Sequence, residues 1–182
     1  ESGISAIDAF DVSAFTTRFG GCVRDFDPTA HGIPAKESRK IDPFIQYGIA
    51  ACNQALADSG IEVTEANAHR IGVLMGAGIG GIGTIESNHE KYLLSDHNPR
   101  KISPFFVPGS IINMISGHIS IMHGITGPNL SVVTACTTST HALGLAARMI
   151  AYGDAVAVLA GGAEYATPPL GFGGFFAPPA LS

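Results

Sequence analysis

Apolar residues at a helical spacing mark the first regular element of the chain. Between residues 33 and 60 an apolar stripe recurs at three- and four-residue steps, which predicts an amphipathic helix. The stripe consists of Ile45, Ile49, Cys52, Leu56 and Ala57. Ser59-Gly60 follows it as a stop signal, so we expect the helix to end there.

Uninterrupted apolar runs alternate with helical stretches in the rest of the chain. Strands are predicted at the start of residues 70–83, at 130–134 and at 155–160. Helices are predicted up to about residue 94, over 104–123 with an interruption at Pro108-Gly109, and from Thr137 to about Tyr152. The order strand, helix, strand, helix, strand predicts an α/β fold with a central sheet covered on both faces.

The same spacing predicts which side chains of two helices face the core. In the helix over 104–123 they are Ile111, Met114, Ile115, His118 and Met122. In the helix after residue 137 they are Ala142, Leu145, Ala146, Met149 and Ile150. His118 and His123 are five residues apart, which is not the i, i+4 spacing of a helical metal site. We therefore interpret both as core or interface histidines.

The two ends of the chain show no clear period. Residues 1–32 are expected to be loops with one or two short strands around residues 14–23, and residues 167–182 are expected to be a loop. The first residues lack the features of a signal peptide, and no run approaches the ~18 apolar residues of a membrane span. Both ends look cut, so we interpret the chain as a fragment.

The composition indicates a large core and little charged surface. Of 182 residues, 46% are hydrophobic and 14% are charged, against ~25% charged in a typical domain. We therefore expect more protein to cover part of this surface. A net charge of −5 argues against general nucleic-acid binding. The three cysteines form no paired pattern, which favours a reducing cytoplasm over a disulfide framework.

Cys136 stands where a predicted apolar strand meets a predicted helix of small residues. A thiol at that junction lies beside unpaired helix N–H groups and the positive end of the helix dipole, which favours the nucleophilic thiolate. Cys136 is thus a candidate catalytic nucleophile. The alternative is a structural cysteine, because free cysteines are among the most buried residues.

A glycine-rich segment follows the strand predicted at the start of residues 70–83. Gly76, Gly78 and Gly81 match the G-x-G-x-x-G pattern of dinucleotide sites. The pattern is weak here, because no second strand ends in an acidic residue about 20 residues on. A tight turn that allows close backbone approach is the alternative. Glu164, after the last predicted strand, is either a catalytic carboxylate or an acceptor of backbone N–H bonds.

Lys36, Arg39 and Lys40 place three of the ten basic residues within five positions of an acidic chain. One interpretation is a solvated helix end. The other is a docking patch for an acidic partner.

Several motifs, in order, resemble the β-ketoacyl-acyl-carrier-protein synthases, most closely the type II (FabF-like) elongating enzymes. They are Ile41-Asp42-Pro43-Phe44-Ile45-Gln46-Tyr47, Arg100-Lys101-Ile102-Ser103-Pro104-Phe105-Phe106-Val107-Pro108, Thr134-Ala135-Cys136-Thr137-Thr138-Ser139, Ile150-Ala151-Tyr152-Gly153-Asp154-Ala155 and Ala160-Gly161-Gly162-Ala163-Glu164. The resemblance covers essentially all 182 residues. It implies a thiolase-like fold, with the chain as most of the first half of an α-β-α-β-α sandwich that is usually homodimeric.

The resemblance also implies a reaction. Cys136 would take an acyl group from acyl carrier protein, and malonyl carrier protein would lose CO2 and extend the chain by two carbons. The groups arrive on phosphopantetheine, so no cofactor and no metal are implied. Two histidines, a lysine and a gating phenylalanine of the second half are expected outside this chain. The chain's own histidines match none of these motifs.

Further residues take roles by resemblance only. Ile79 matches the wall of the acyl pocket that limits chain length, and Phe106 matches a residue that approaches the partner's pocket at the dimer interface. Lys36, Arg39 and Lys40 match the patch that docks the acidic carrier. Pro179 replaces an arginine of the family pattern, and we interpret Pro178-Pro179 as altered docking or an error near a cut end.

Three other functions remain open at this stage. One is a polyketide-type ketosynthase, or a chain-length-factor relative; in the latter the nucleophile is replaced, whereas Cys136 is present. Another is a catalytically incomplete fragment that binds the carrier. The third is a dinucleotide-binding oxidoreductase.

Overall fold

A computed structural model describes residues 3–176 of the protein, with the side chains of residues 3–175. Its strands are β1 (Ile4–Ala6), β2 (Phe19–Gly21), β3 (Ile71–Gly76), β4 (Asn129–Leu130) and β5 (Ala157–Gly162). Its helices are α1 (Ala35–Ser38), α2 (Pro43–Ser59), α3 (Ile82–Leu94), α4 (Phe106–Ser110), α5 (Met114–His123), α6 (Thr138–Ala151) and α7 (Pro169–Phe176). The α/β class predicted from the alternation is confirmed.

The main sheet is parallel, with the strand order β4-β3-β5. All six residues of β3 are buried, as expected for a central strand covered on both faces. Ile71, Val73 and Met75 point into the hydrophobic core, together with side chains of α2 and α5. The opposite face meets α6, because a Cβ atom on Gly76 would lie 2.6 Å from Cγ2 of Thr138.

The strand predicted at 130–134 is wrong in length and in burial. β4 contains two residues, and Leu130 at the sheet edge is 53% exposed. Side-chain hydroxyls replace the ladder beyond that point: Ser131 Oγ donates to the Met75 carbonyl at 2.6 Å, and the buried Ser116 Oγ accepts from the Met75 N–H at 3.0 Å. The segment before Cys136 is therefore irregular and not a strand.

Helix α2 forms as the apolar stripe predicts. Pro43 lies in its first turn, where no N–H is needed, and Gly60 ends it at a φ of 66°. The Asp42 carboxylate begins it by accepting from the Phe44 N–H at 3.2 Å, and its other oxygen accepts from the Thr84 N–H of α3 at 2.8 Å. Asp42 thereby joins two helices, and burial raises the pKa of this carboxyl.

The predicted interruption at Pro108-Gly109 is wrong, because both residues lie within α4. Pro108 falls in the first turn of the helix, where a missing N–H breaks no intrahelical bond. The chain breaks instead between α4 and α5, at residues 111–113. In α5 the buried side chains are Ile115, Ser116 and Ile119, whereas Ile111 and Met122 are both 40% exposed. The buried face of α5 is thus rotated, relative to the predicted face, toward Ile119.

The two histidines of α5 differ in their surroundings. His123 Nε2 lies 2.7 Å from Asn53 Oδ1, which confirms a satisfied histidine at the contact with α2. Nε2 of His118 is buried and has no hydrogen-bond partner among the described residues. Desolvation by burial lowers the pKa of His118, so the neutral ring is favoured.

The predicted inner face of α6 is only partly correct. Its buried residues are small, namely Thr138, Ala142 and Ala146. Leu145 and Ile150 were expected on the same face, yet they are 45% and 43% exposed. Small side chains let the helix approach β3 and β5 closely, and the larger ones point away from the sheet.

The two ends of the described chain also form regular structure. A strand around residues 14–23 is confirmed by β2, which pairs with β1 in antiparallel register. The loop predicted from residue 167 is confirmed at residues 167–168 and is wrong from residue 169 to residue 176, where α7 forms. Tertiary contacts stabilise this glycine-rich helix: the buried Phe172 ring stacks edge-on with Phe10 and Phe15, at centroid distances of 5.9 and 5.2 Å. Glu86 Oε1 accepts from the Leu170 N–H at 3.1 Å.

Within residues 3–176, no helix is both long and apolar enough to cross a membrane.

Candidate active site

A cavity of about 300 Å³ opens at the carboxyl ends of β3 and β5. Cys136 and Ile79, the two residues predicted as nucleophile and pocket wall, both line it. Ala77, Ala163 and Phe175 add apolar surface, and Glu164 contributes a carboxylate. The carboxyl ends of parallel strands are where open α/β sheets bind ligands, so this position favours a site for an apolar substrate.

Cys136 lies in a tight turn between the irregular segment 131–134 and α6. A 3₁₀ turn over Ala135–Thr137 precedes the helix, which agrees within a residue with the predicted start at Thr137. Ala135 has a φ of 51°, a left-handed conformation that costs a non-glycine residue about 1 kcal/mol or more. The Cys136 side chain is exposed, so the turn presents the thiol to the cavity at the amino end of α6.

Hydrogen bonds around Thr134 hold this turn in place. The Thr134 carbonyl accepts from the Thr137 N–H at 3.1 Å and from Thr137 Oγ1 at 2.6 Å. The Thr134 N–H donates to Thr138 Oγ1 at 2.9 Å. These bonds oppose relaxation of the strained residue beside Cys136.

His141 is a residue that the sequence reasoning did not assign. Its Nδ1 lies 2.7 Å from Thr134 Oγ1, so it braces the Cys136 turn from the end of the first turn of α6. The signal available in the sequence was the helical spacing that brings residue 141 back over the start of the helix. Nothing in the sequence indicated that Thr134 would be the hydrogen-bond partner of His141.

Glu164 accepts hydrogen bonds from the glycine-rich loop. Its Oε2 accepts from the N–H groups of Gly78 and Ile79, each at 2.7 Å, and its Oε1 accepts from the Gly80 N–H at 3.3 Å. In a dinucleotide site these amides would bind phosphate. Here the chain's own carboxylate occupies them, which favours the tight-turn interpretation and the structural alternative for Glu164.

The three basic residues differ in their availability. Lys36 and Arg39 are exposed, and they form no ion pair among the described residues. Lys40 is half-buried, with its Nζ 2.7 Å from Glu37 Oε1 and 5.1 Å from the Phe105 ring centroid. The hydrogen bond from Lys40 lowers the pKa of Glu37. Lys36 and Arg39 therefore carry the exposed positive charge of this surface, whereas the charge of Lys40 is paired with Glu37.

The remaining predicted residues lie away from the cavity. Phe106 is half-buried at the start of α4, which packs against α3, and it does not line the cavity that holds Cys136. Pro178-Pro179 lies outside the described residues. Over the described range, no group of three or more His, Cys, Asp or Glu side chains is arranged to hold a metal ion.

We expect alkylation to distinguish Cys136 from Cys52 in the folded protein. Cys52 is 4% exposed in α2, and burial raises the pKa of its thiol to about 11. Relative to an ordinary thiol with a pKa of 9.0, this lowers the thiolate fraction of Cys52 about a hundredfold near neutral pH. Iodoacetamide at about pH 8 should therefore modify Cys136 first, as followed by peptide mass spectrometry. In urea both should react, and native modification of Cys52 as fast as that of Cys136 would contradict the burial argument.

Comparison with known proteins adds a family. Residues 2–182 match the family model described as "Beta-ketoacyl synthase, N-terminal domain". The chain is 57% identical over 182 residues to the 3-oxoacyl-(acyl-carrier-protein) synthase 2 of Vibrio harveyi. That match covers 100% of this chain and 43% of the relative, so the chain spans less than half of the relative's length.

Solved structures share the fold. The ishigamide ketosynthase/chain length factor matches 100% of this chain and 44% of its own, with a TM-score of 0.82 and 25% identity. A type II PKS acyl-carrier protein in complex with its ketosynthase, AntDE:AntF, matches 86% of this chain and 44% of its own, with a TM-score of 0.76 and 26% identity. The predicted thiolase-like ketosynthase fold is thereby confirmed.

Proposed function

We propose, from the premise that this chain belongs to the β-ketoacyl synthase family as its N-terminal domain, that it supplies the acyl-accepting nucleophile of a fatty acid elongation enzyme. The term full-length synthase denotes this chain together with the additional sequence that its longer relatives contain. The observation that carries the proposal is the exposed Cys136 thiol, held in a strained turn at the mouth of an apolar cavity.

The proposed chemistry divides one condensation into two steps. The Cys136 thiolate attacks the thioester carbonyl of acyl carrier protein, and the bond to the phosphopantetheine sulfur breaks as the carrier leaves as a thiol. Malonyl carrier protein then releases CO2, and the resulting carbanion forms a carbon–carbon bond to the Cys136-bound carbonyl carbon. The Cys136 thiolate leaves, and the product is a β-ketoacyl chain two carbons longer. The Cys136 backbone N–H is proposed to stabilise the oxyanion of each step.

The test of this function is the covalent intermediate. Full-length synthase incubated with an acyl carrier protein should gain the mass of the acyl group, mapped to the Cys136 peptide, and malonyl carrier protein should release it as β-ketoacyl product. A mass shift on another residue would contradict the assignment. An adduct on Cys136 that malonyl carrier protein never discharges would show carrier binding and transfer without condensation.

The carrier is proposed to dock on the basic surface of α1 and the turn after it. Reversing both charges with Lys36→Glu and Arg39→Glu should weaken carrier binding about tenfold, which corresponds to roughly 1.4 kcal/mol. The loss should shrink as salt is raised, because exposed charges are screened. Lys40→Glu should weaken carrier binding less than the other two reversals, because the charge of Lys40 is already paired with Glu37.

Binding by surface plasmon resonance at low and high salt measures these effects. Lys91→Glu is the control for each single reversal, since it makes the same charge change at an exposed position on α3. A loss of affinity in Lys91→Glu as large as that in Lys36→Glu alone or Arg39→Glu alone would attribute the effect to net charge. An unchanged affinity in the double variant would remove this surface as the docking site.

A polyketide-type ketosynthase is the second candidate. One solved structure of similar fold contains a type II PKS ketosynthase, at 26% identity, whereas the identity to the synthase of Vibrio harveyi is 57%. The higher identity supports fatty acid elongation. Acceptance of saturated acyl carriers, and rejection of poly-β-keto chains, would separate the two.

The proposed assembly is a homodimer in the cytoplasm. Exposed apolar side chains beside the edge strand β4 and on α6 support a covered surface: Leu130, Val133 and Leu143 are all more than half exposed. The three cysteines are unpaired, which supports a reducing compartment. We propose no bound cofactor beyond the phosphopantetheine of the carrier, and no nucleic-acid or membrane partner.

A further inference from the structure

We propose that Glu164 is a positioning residue that limits the acyl-chain length the synthase accepts, by tethering the loop that carries Ile79. The inference rests on the proposed function, because it concerns the cavity in which Cys136 is acylated. Its basis is that one carboxylate holds three consecutive backbone N–H groups of the cavity wall.

The tether spans a long separation in sequence. Glu164 follows β5 and lies 86 residues from Gly78, which follows β3. The Gly76 carbonyl accepts from the Ala163 N–H at 3.0 Å, so Glu164 is held close to the loop by the sheet itself. At the far end of the loop, the Gly81 N–H donates to the Ser110 carbonyl at 3.0 Å. Between these two anchors, the Glu164 carboxylate accepts hydrogen bonds from the N–H groups of residues 78–80.

The loop has little stiffness of its own. Four of the residues from 76 to 81 are glycines, and Gly80 has a φ of 82°, which other residues rarely adopt. A free loop of this composition would sample several positions. Hydrogen bonds to an ionised carboxylate are stronger than neutral ones, so Glu164 selects one position.

A second cavity lies next to the first and shares Ile79 and Phe175 with it. Its volume is about 320 Å³, and its other lining residues are Ile82, Leu170, Gly171 and Gly174, all without charge. Ile79 is therefore common to both cavities. A longer acyl chain reaches the second cavity only if Ile79 and its loop move, and that movement strains or breaks the bonds to Glu164.

The tether therefore acts as an energetic limit on chain length. Weakening it should favour long acyl chains over short ones, because only long chains need the loop to move. Glu164→Gln keeps the size of the side chain but removes its charge, and Glu164→Ala removes all three bonds. Glu65→Gln is the matched control, since Glu65 is exposed at a distant loop.

The experiment measures acylation of Cys136 in the full-length synthase by octanoyl and myristoyl carrier proteins, using mass spectrometry. The ratio of myristoyl to octanoyl transfer rates should rise about tenfold in Glu164→Ala, the effect of losing a charge-assisted hydrogen bond, and less in Glu164→Gln. Glu65→Gln should keep the wild-type ratio. Hydrogen exchange at the Gly78 and Ile79 amides should accelerate in both Glu164 variants, a readout independent of acyl transfer.

Each outcome decides the proposal. Folded variants with an unchanged ratio would overturn the specificity role, even if loop exchange accelerates. Failure of both variants to fold would also overturn it, in favour of a structural role. If the wild-type protein forms no adduct with either carrier, the proposed function itself fails, whereas a wild-type adduct with unaltered variants refutes only the role of Glu164.

Discussion

Replacing Cys136 by alanine should abolish the acyl-enzyme and lower condensation by the full-length synthase at least about a thousandfold, since the covalent path is lost. Cys52 cannot replace it, because its thiol is buried, with a pKa raised to about 11. Cys136→Ser should also be strongly impaired, because a hydroxyl is far less ionised than a thiol. Intact-protein mass spectrometry measures the adduct, and a β-ketoacyl product assay measures turnover.

Cys22→Ala is the control for this prediction. Cys22 is half-buried in the residues after β2 and does not line the cavity, so its removal should leave both the adduct and the product intact. An acyl adduct that persists in Cys136→Ala would contradict the assigned nucleophile. Loss of the adduct in Cys22→Ala alone would move the assignment to Cys22.

A methyl group on Gly76 should be one of the most damaging single additions to the described fold. Its Cβ would meet the Val132 carbonyl oxygen well inside van der Waals contact and would lie 2.6 Å from Cγ2 of Thr138. Gly76 ends the central strand, and the Val132 backbone cannot move without shifting the turn of Cys136. We therefore expect Gly76→Ala to destabilise the fold by at least about 3 kcal/mol, beyond the ordinary cost of overpacking.

Gly144→Ala is the matched control, because nothing lies within 4 Å of the added Cβ. Gly144 is exposed in the middle of α6, so alanine there should stabilise the protein by about 0.5–1 kcal/mol. Thermal unfolding of both variants beside the wild type should give midpoint shifts of opposite sign. An unfolding midpoint of Gly76→Ala equal to that of the wild type would contradict the prediction. It would show that β3 and the turn around Cys136 can move apart at little cost in stability.

Elements with local signals could be predicted from the residues alone. The 3.6-residue period and the terminal Gly60 were enough for α2, and the apolar run followed by glycines was enough for β3 and its loop. Backbone propensity and capping act over a few residues, so they are readable without partners. The junction of apolar run and helix likewise marked Cys136 as the candidate nucleophile, and the resemblance of the glycine-rich turn marked Ile79 as a wall of the acyl pocket.

Features that depend on distant partners could be established only from the folded chain. The exposure of Leu130 at the sheet edge, and the helix α7 in a glycine-rich tail, depend on what packs against them. Lys40 differs from Lys36 and Arg39 because its ammonium group contacts Glu37 and the Phe105 ring. Glu164 accepts from amides more than 80 residues earlier in the chain. Folding brings such pairs together through the shared sheet, and no local pattern in the sequence encodes that proximity.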